Sequence, residues 1–349
     1  MTDQVTIGCG ARLHLGFLDL NGDLGRRFGS LGMALETPAT RLVLRRAERT
    51  EVRGPERARA AHALDVMAAA LGIAAAPALL PAPALLPAHA LLPAHALLIE
   101  AAMPAHAGLG SGTQLALAVA TALRRLHGLP PAPTEDAARL GRGARSGIGI
   151  ALFTAGGCVL DGGRGPHDAP PPLLARLPVP EDWRVLLLLD PAQAGLAGAA
   201  ERDAFAALPK MPAAVAAELC RRVLMGVLPA LAERDLPAFG AALSAVQRAV
   251  GDHFAPAQGG RFASPRVAAA LDRLAALGAT GLGQSSWGPS GFAFAPDPDA
   301  ADWLRARLAD DPAMPEVMLC RARNRGADVA TAERGERADA PPTRDRDAP

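Results

Sequence analysis

Three glycines at alternate positions, Gly108, Gly110 and Gly112, separate an apolar run that ends at Pro104 from a stretch of helix formers, TQLALAVATALRRLHG. The order predicts a strand, a glycine-rich loop, and a helix closed by basic residues and Gly128. At such a junction the first helical amides have no partner within the helix, and the helix dipole adds to them. That geometry suits a phosphate group, although a tight turn without a ligand fits the same pattern. The dipole supplies only about 1 kcal/mol, so a bound phosphate also needs the hydroxyls of Ser111 and Thr113 and a nearby guanidinium. No G-K-[ST] follows, so this is not a Walker A loop.

The rest of the composition narrows what such a loop can serve. Lys and Arg total 36 against 35 Asp and Glu in 349 residues, a net charge of +1, so no global field draws the chain onto nucleic acid or an anionic membrane. Any anion must therefore be held locally. Lys210 is the single lysine, which leaves arginine as the partner for phosphate or carboxylate. Tyrosine is absent, so tyrosine catalysis is excluded. Cys9, Cys158, Cys220 and Cys320 are scattered, with no C-x-x-C pair, which argues against zinc and disulfides and for a reducing, cytoplasmic home. The N-terminus shows no signal-peptide pattern.

The length fits two domains or one large one. Residues 77–98 repeat P-A-x-A-L-L, and the prolines argue against a continuous membrane helix, so the segment is expected as a loop leading into a strand. Its histidines, His89 and His95, read as products of the repeat rather than as metal ligands. VTIGCGARLHLGFLDL reads as strand, sharp glycine turn, strand, and ALFTAGGCVLDGG as a hairpin. GPHDAPPPLLARLPVPEDW is the linker candidate, WRVLLLLD a buried strand, and the residues from Asn324 onward a disordered tail.

Three further constellations carry chemistry. On the first strand, Arg12 and His14 lie two apart and so project to one side, where they would suit an acidic substrate or stand on a solvated edge. GRGARSGIG places Arg142, Arg145 and Ser146 beside glycines and offers the guanidinium that the first loop needs. GQSSWGPSG, with Gln284, Ser285, Ser286 and Trp287, reads as a loop wrapping a polar ligand while the indole stacks on a ring.

Taken together, P-x-x-x-G-L-G-S at 104–111, the N-terminal R-x-x-L-G strand and the C-terminal glycine loop resemble the GHMP kinase superfamily. The strings ARLHLGFLDL, FGSLGMAL, GLGSGTQLALAVA, RSGIGIALFTAGGCVLDGG and GQSSWGPSGFAF resemble one of its branches, the β-ribofuranosylaminobenzene 5′-phosphate synthases of methanopterin biosynthesis. The likeness runs from about Val5 to about Arg321. It implies an α+β, two-domain fold with its site in the cleft: residues 1–165 carrying the phosphate loop, residues 166–323, and a disordered tail at 324–349.

The resemblance also implies a reaction that is not a kinase reaction. Phosphoribosyl diphosphate condenses with 4-aminobenzoate, or 4-hydroxybenzoate, releasing carbon dioxide and diphosphate. Where several of the kinases carry a catalytic aspartate, this chain reads Ile148-Gly149-Ile150. In this reading Gly108, Leu109, Gly110, Ser111, Gly112, Thr113 and Gln114 hold phosphate or diphosphate, Arg142 and Arg145 neutralise charge, and Ser146 lies beside them. Arg12 and His14 face the substrate, Trp287 stacks on its ring with Gln284, Ser285 and Ser286 around it, and Asp19 or Asp161 holds magnesium or stabilises the cation. Asp161 in V-L-D-G-G is also an ordinary hairpin residue. The expected cofactor is Mg2+ with no organic group, and the expected partners are the small substrates and a second copy in a homodimer. An ATP-dependent small-molecule kinase and a non-catalytic phosphate binder remain as alternatives.

Overall fold

The N-terminal segment forms two long antiparallel strands, β1 (Thr2–Asp19) and β2 (Phe28–Ala47), whose inward residues Val5, Ile7, Leu13, Leu31, Met33 and Leu44 are buried. The turn expected within β1 is absent. A Cβ on Gly10 would lie 1.8 Å from the Leu35 carbonyl oxygen, so this glycine allows two backbones to meet rather than the chain to reverse. Register shifts at Gly10/Arg12 and His14/Gly16 bend the strand instead. The computed structural model describes residues 2–73 and 94–333, apart from 168, 194, 196, 197, 310 and 312.

The first sheet has the order β11-β1-β2-β4-β3, with β3 at Glu51–Arg53, β4 at Ala94–Ala101 and β11 at Asp328–Glu333. Beyond it, β5 (Cys158–Asp161) pairs with β2, and β6 (Leu173–Leu177) pairs with β5. The sheet therefore runs past the expected boundary at 165/166 to Leu177. Helices α1 (Arg57–Ala70), α2 (Ser111–Leu126), α3 (Pro133–Arg139) and α4 (Ile148–Ala155) surround α2, which packs on β1 and β2. This accounts for the almost complete burial of α2 from Gln114 to Ala120.

The second sheet is antiparallel, in the order β10-β7-β9-β8, with β7 at Arg184–Leu189, β8 at Thr280–Gln284, β9 at Gly291–Ala295 and β10 at Glu316–Arg321. Along β7, Val185 and Leu187 join the main core while Leu186 and Leu188 join a separate cluster with Val267, Leu271 and Leu304. Both faces are covered, which is why the strand reads as an unbroken apolar run. The layer on the main-core side contains α5 (Gly198–Ala207), α6 (Ala213–Arg222), α7 (Leu228–Glu233) and α8 (Leu236–Gln258). The other layer is α9 (Pro265–Ala276) and α10 (Pro298–Ala309). Among the described residues no helix is long and apolar enough to cross a membrane.

Two further expectations need correcting. ALFTAGGCVLDGG is not a hairpin: its first residues belong to α4, and Gly156 and Gly157, at φ 62° and 81°, turn the chain into β5. A short apolar run carries no periodicity that separates a buried helix from a strand. Residues 324–333 of the expected tail are ordered, because β11 adds an edge strand to β1, and residues 334–349 lie outside the described residues. The β11 side chains are mostly exposed, so the strand needs no bulky apolar residues, and Arg323 anchors it through Glu36 at 2.8 Å and Asp328 at 2.9 Å. Of the proline repeat, residues 77–93, with His89, lie outside the described residues, and the remainder opens β4. There His95 is buried with its Nε2 2.9 Å from His127 Nε2.

Candidate active site

One hydroxyl joins three motifs that are far apart in the chain. Ser285 Oγ accepts a hydrogen bond from the His14 amide at 2.9 Å and donates to the Gly108 carbonyl at 2.8 Å, tying β1, the first glycine loop and the loop after β8 together. The two loops also interlock backbone to backbone. A Cβ on Gly108, at φ 76°, would lie 2.2 Å from the Ser285 carbonyl oxygen, and one on Gly288 would lie 2.4 Å from the Gly108 nitrogen. Arg12 closes the knot, its amide donating to Leu109 O at 2.9 Å and its Nη1 to Gly108 O at 3.1 Å.

Above this knot α2 begins. Gly110, at φ 73°, is its N-cap, and the amides of Thr113 and Gln114 both donate to Gly110 O. The amides of Ser111 and Gly112 precede the first helical bonds and point out of the helix end. Leu109 is core, and Gln114 is buried with its Nε2 on Gly149 O at 2.9 Å. The Thr113 methyl packs against Gly149, where a Cβ would be 3.1 Å away. Of the loop residues expected to meet a ligand, Gly108, Leu109, Thr113 and Gln114 thus face the protein, which leaves Gly110, Ser111 and Gly112 as the open edge.

Residues 66–157 match the GHMP kinases N terminal domain family and residues 227–312 the GHMP kinases C terminal family. A β-ribofuranosylphenol 5′-phosphate synthase of Archaeoglobus fulgidus is 35% identical over 251 residues, covering 68% of this chain and 73% of the relative. The chain belongs to the β-ribofuranosylphenol 5′-phosphate synthase family, a branch of the GHMP superfamily. A second synthase of the same name, from Methanothermobacter thermautotrophicus, is 28% identical over 343 residues, 94% of this chain and 99% of the relative. Among solved structures, homoserine kinase from Cytophaga hutchinsonii matches with TM-score 0.61 and 18% identity, covering 95% and 98% of the two chains. Mevalonate diphosphate decarboxylase from Enterococcus faecalis matches with TM-score 0.60 and 14% identity, covering 95% and 100%. These likenesses establish the α+β GHMP fold expected from the sequence.

Within that fold, the buried nitrogen donors of this synthase-family chain with no acceptor among the described residues are His14 Nε2, Arg27 Nε, Arg142 Nε, Arg145 Nη1 and Trp287 Nε1, and two of them adjoin Arg12. His14 is 3% exposed and lies tilted against Phe17, ring centroids 4.4 Å apart. Its Nδ1 accepts from the Gly16 amide at 3.2 Å, which places the ring proton on Nε2, and that nitrogen is unpartnered. Burial holds the imidazole well below its ordinary 6.5, with the Arg12 and Arg145 guanidiniums pushing the same way, so the ring is neutral. Arg145 pairs with Glu201 of α5 at 2.6 Å and lies 4.9 Å over the Phe205 ring, while its buried Nη1 has no partner. Burial also lowers Arg12, to about 10.

Other sequence candidates serve the scaffold. Trp287 is 2% exposed, stacked on Phe254 at 4.3 Å and edge-on to Phe205 at 5.0 Å, so it is core and not a platform for a substrate ring. Gln284 accepts from the Ala263 amide at 2.7 Å and donates to Gln258 Oε1 and Ser286 O at 3.1 Å. Ser286 turns the loop at φ 57°. Asp19 Oδ1 takes the amides of Asn21 and Gly22 and so forms a turn. Asp161 is buried and accepts from the amides of Ser30, Gly147 and Gly163 and from Ser146 Oγ. Burial raises its carboxyl, and those four hydrogen bonds oppose the rise.

That saturated carboxylate has no free position to offer a magnesium ion. Asp161 has both oxygens engaged, and among the described residues no three His, Cys, Asp or Glu side chains gather as a metal site. Sequence reasoning also missed Arg59, Glu201, Phe205 and Gln247. Gln247 donates to Leu15 O at 2.8 Å and accepts from the Gln284 amide at 2.9 Å, linking α8 to β1 and β8. They are single residues on helices, with no local spacing that marks them.

Proposed function

We propose that the chain is a decarboxylating phosphoribosyltransferase that joins phosphoribosyl diphosphate to a 4-substituted benzoate, giving a β-ribofuranosyl arene 5′-phosphate, carbon dioxide and diphosphate. The observation that carries the reading is the pair of buried donors next to Arg12, His14 Nε2–H and Arg145 Nη1–H, with no acceptor among the described residues, while Arg12 itself lies against Gly110 of the glycine loop. Buried donors left unpaired are costly, and two of them beside the Arg12 guanidinium suit a carboxylate as the missing acceptor. The phenol in the name of the relatives favours 4-hydroxybenzoate over 4-aminobenzoate as the acceptor.

In this reading the C1–O bond to diphosphate breaks with oxocarbenium character, and the ring carbon bearing the carboxylate forms the new C1–C bond. The C–CO2 bond then breaks and returns its electron pair to the ring. Electrons balance with no base required, which agrees with a neutral His14 that offers a proton in a hydrogen bond rather than accepting one. The amides of Ser111 and Gly112, the Ser111 hydroxyl and Arg142 hold the departing diphosphate, and Arg12, His14 and Arg145 hold the benzoate. Any magnesium arrives as the chelate of the diphosphate substrate. Ile148-Gly149-Ile150, the stretch whose likeness to the kinases would call for an aspartate, holds no carboxylate to activate an alcohol.

The test is incubation with phosphoribosyl diphosphate, magnesium and carboxyl-labelled benzoates. Release of labelled carbon dioxide together with a ribosyl arene phosphate is expected, faster with the hydroxy than with the amino substrate. Absence of both products overturns the reading, and phosphorylation of a small alcohol by ATP would replace it with the kinase alternative.

A further inference from the structure

At Gly112 two guanidiniums meet. A Cβ there would lie 2.3 Å from Arg59 Nη2 and 3.3 Å from Arg142 Nη1. Arg59 is pre-aimed: its Nη1 donates to Glu56 at 2.9 Å, which leaves Nη2 directed at Gly112. The Arg142 Nε is buried with no partner among the described residues. Burial and the Arg59 charge both lower the Arg142 guanidinium, as expected of like charges brought together away from water. The free amides at the head of α2 add partial positive charge on the same side.

Three sources of positive charge thus converge, and among the described residues Glu56 is the one carboxylate bonded to either arginine. We infer that Arg59 of α1 and Arg142 form a clamp across Gly112 that grips the diphosphate group of the substrate. The identity of the ligand rests on the proposed reaction, whereas the convergence of cations calls for a polyanion whatever the reaction. A benzoate carries one charge and matches a single fork. A diphosphate has two phosphoryl groups, so one can take the amides of Ser111 and Gly112 while the other bridges the two guanidiniums. The site then has two sides: Arg12, along Gly110, serves the acceptor with His14 and Arg145, and the Arg59–Arg142 clamp serves the leaving group.

The experiment is calorimetric titration of the full chain with inorganic diphosphate and, separately, inorganic phosphate. The intact protein should bind diphosphate the more tightly. Arg59→Gln and Arg142→Gln should each weaken diphosphate at least about 10-fold, leave phosphate binding less affected, and keep the melting temperature. Arg59→Lys, which keeps the charge and loses the fork, should recover part of the affinity. In turnover, Arg59→Gln should raise KM for phosphoribosyl diphosphate and leave KM for the benzoate unchanged. Diphosphate affinity unaltered in a folded Arg59→Gln variant overturns the clamp, as does an intact protein that binds no diphosphate. If diphosphate binding depends on Arg59 but no labelled carbon dioxide is released, the clamp stands and the proposed reaction falls.

Discussion

The two glycine-rich loops look alike in sequence and do opposite work. The loop at 108–112 leaves two amides and a hydroxyl on an open edge facing arginines, whereas the loop at 284–291 turns its polar groups inward. Ser285 bridges two backbones, Gln284 joins a network with Gln247 and Gln258, and Trp287 fills the core. One loop is a binding edge and the other is the clasp that holds it in place. Glycine spacing announces close backbone approach, and only the partners decide whether the approach is to a ligand or to another loop.

The largest effect that separates the two loops is at Trp287. Its replacement by alanine should cost about 3–5 kcal/mol of stability in urea melts, while Trp287→Phe should fold and keep the KM for benzoate. A phenylalanine variant that folds normally yet loses the benzoate would restore Trp287 as a substrate platform.

Next come two glycines of the same loop. Gly108→Ala places a Cβ 2.2 Å from a carbonyl oxygen at positive φ and should cost about 2–4 kcal/mol. Gly112 has no positive φ and its Cβ would meet only the ends of two arginines, so Gly112→Ala should hold or gain stability by up to about 1 kcal/mol while weakening diphosphate binding. Equal melting behaviour of the two variants would erase the distinction between clasp side and binding side.

The smallest effect lies outside the site. Burial, then His127 and Arg46, lower His95 to about 4, and burial and Arg46 lower His127 from its usual 6.5. Both histidines are therefore favoured neutral in the fold, and the stability they contribute is present above pH 6.5 and lost as pH falls toward 4. Urea midpoints between pH 7 and pH 4 should fall less in a His95→Gln variant than in the parent. An equal fall in both would remove the pair from the account.

The order of elements from β4 through α2, the buried strand β7 and the glycine loop were all legible in the sequence, because each follows from local pattern and turn chemistry. Arg12 and His14 were legible as candidates. Their roles were not, because the hydrogen bond from Gly16 to His14 Nδ1 and the bond from Arg12 to Gly108 are set by bulges and by a loop distant in the chain. α4 and β11 were misread for the same reason: one is apolar on all sides, and the other is held by backbone pairing and ion pairs, which composition does not encode. Arg59 left no trace, since a helix-surface arginine acquires meaning only from what packs opposite it.

The most direct test of the difference between the loops is an amide titration by nuclear magnetic resonance, adding inorganic diphosphate to the labelled chain. The Ser111 and Gly112 amides should shift strongly while those of Ser286 and Gly288 stay within the noise. Shifts concentrated at 284–290, with Ser111 and Gly112 unmoved, would contradict it.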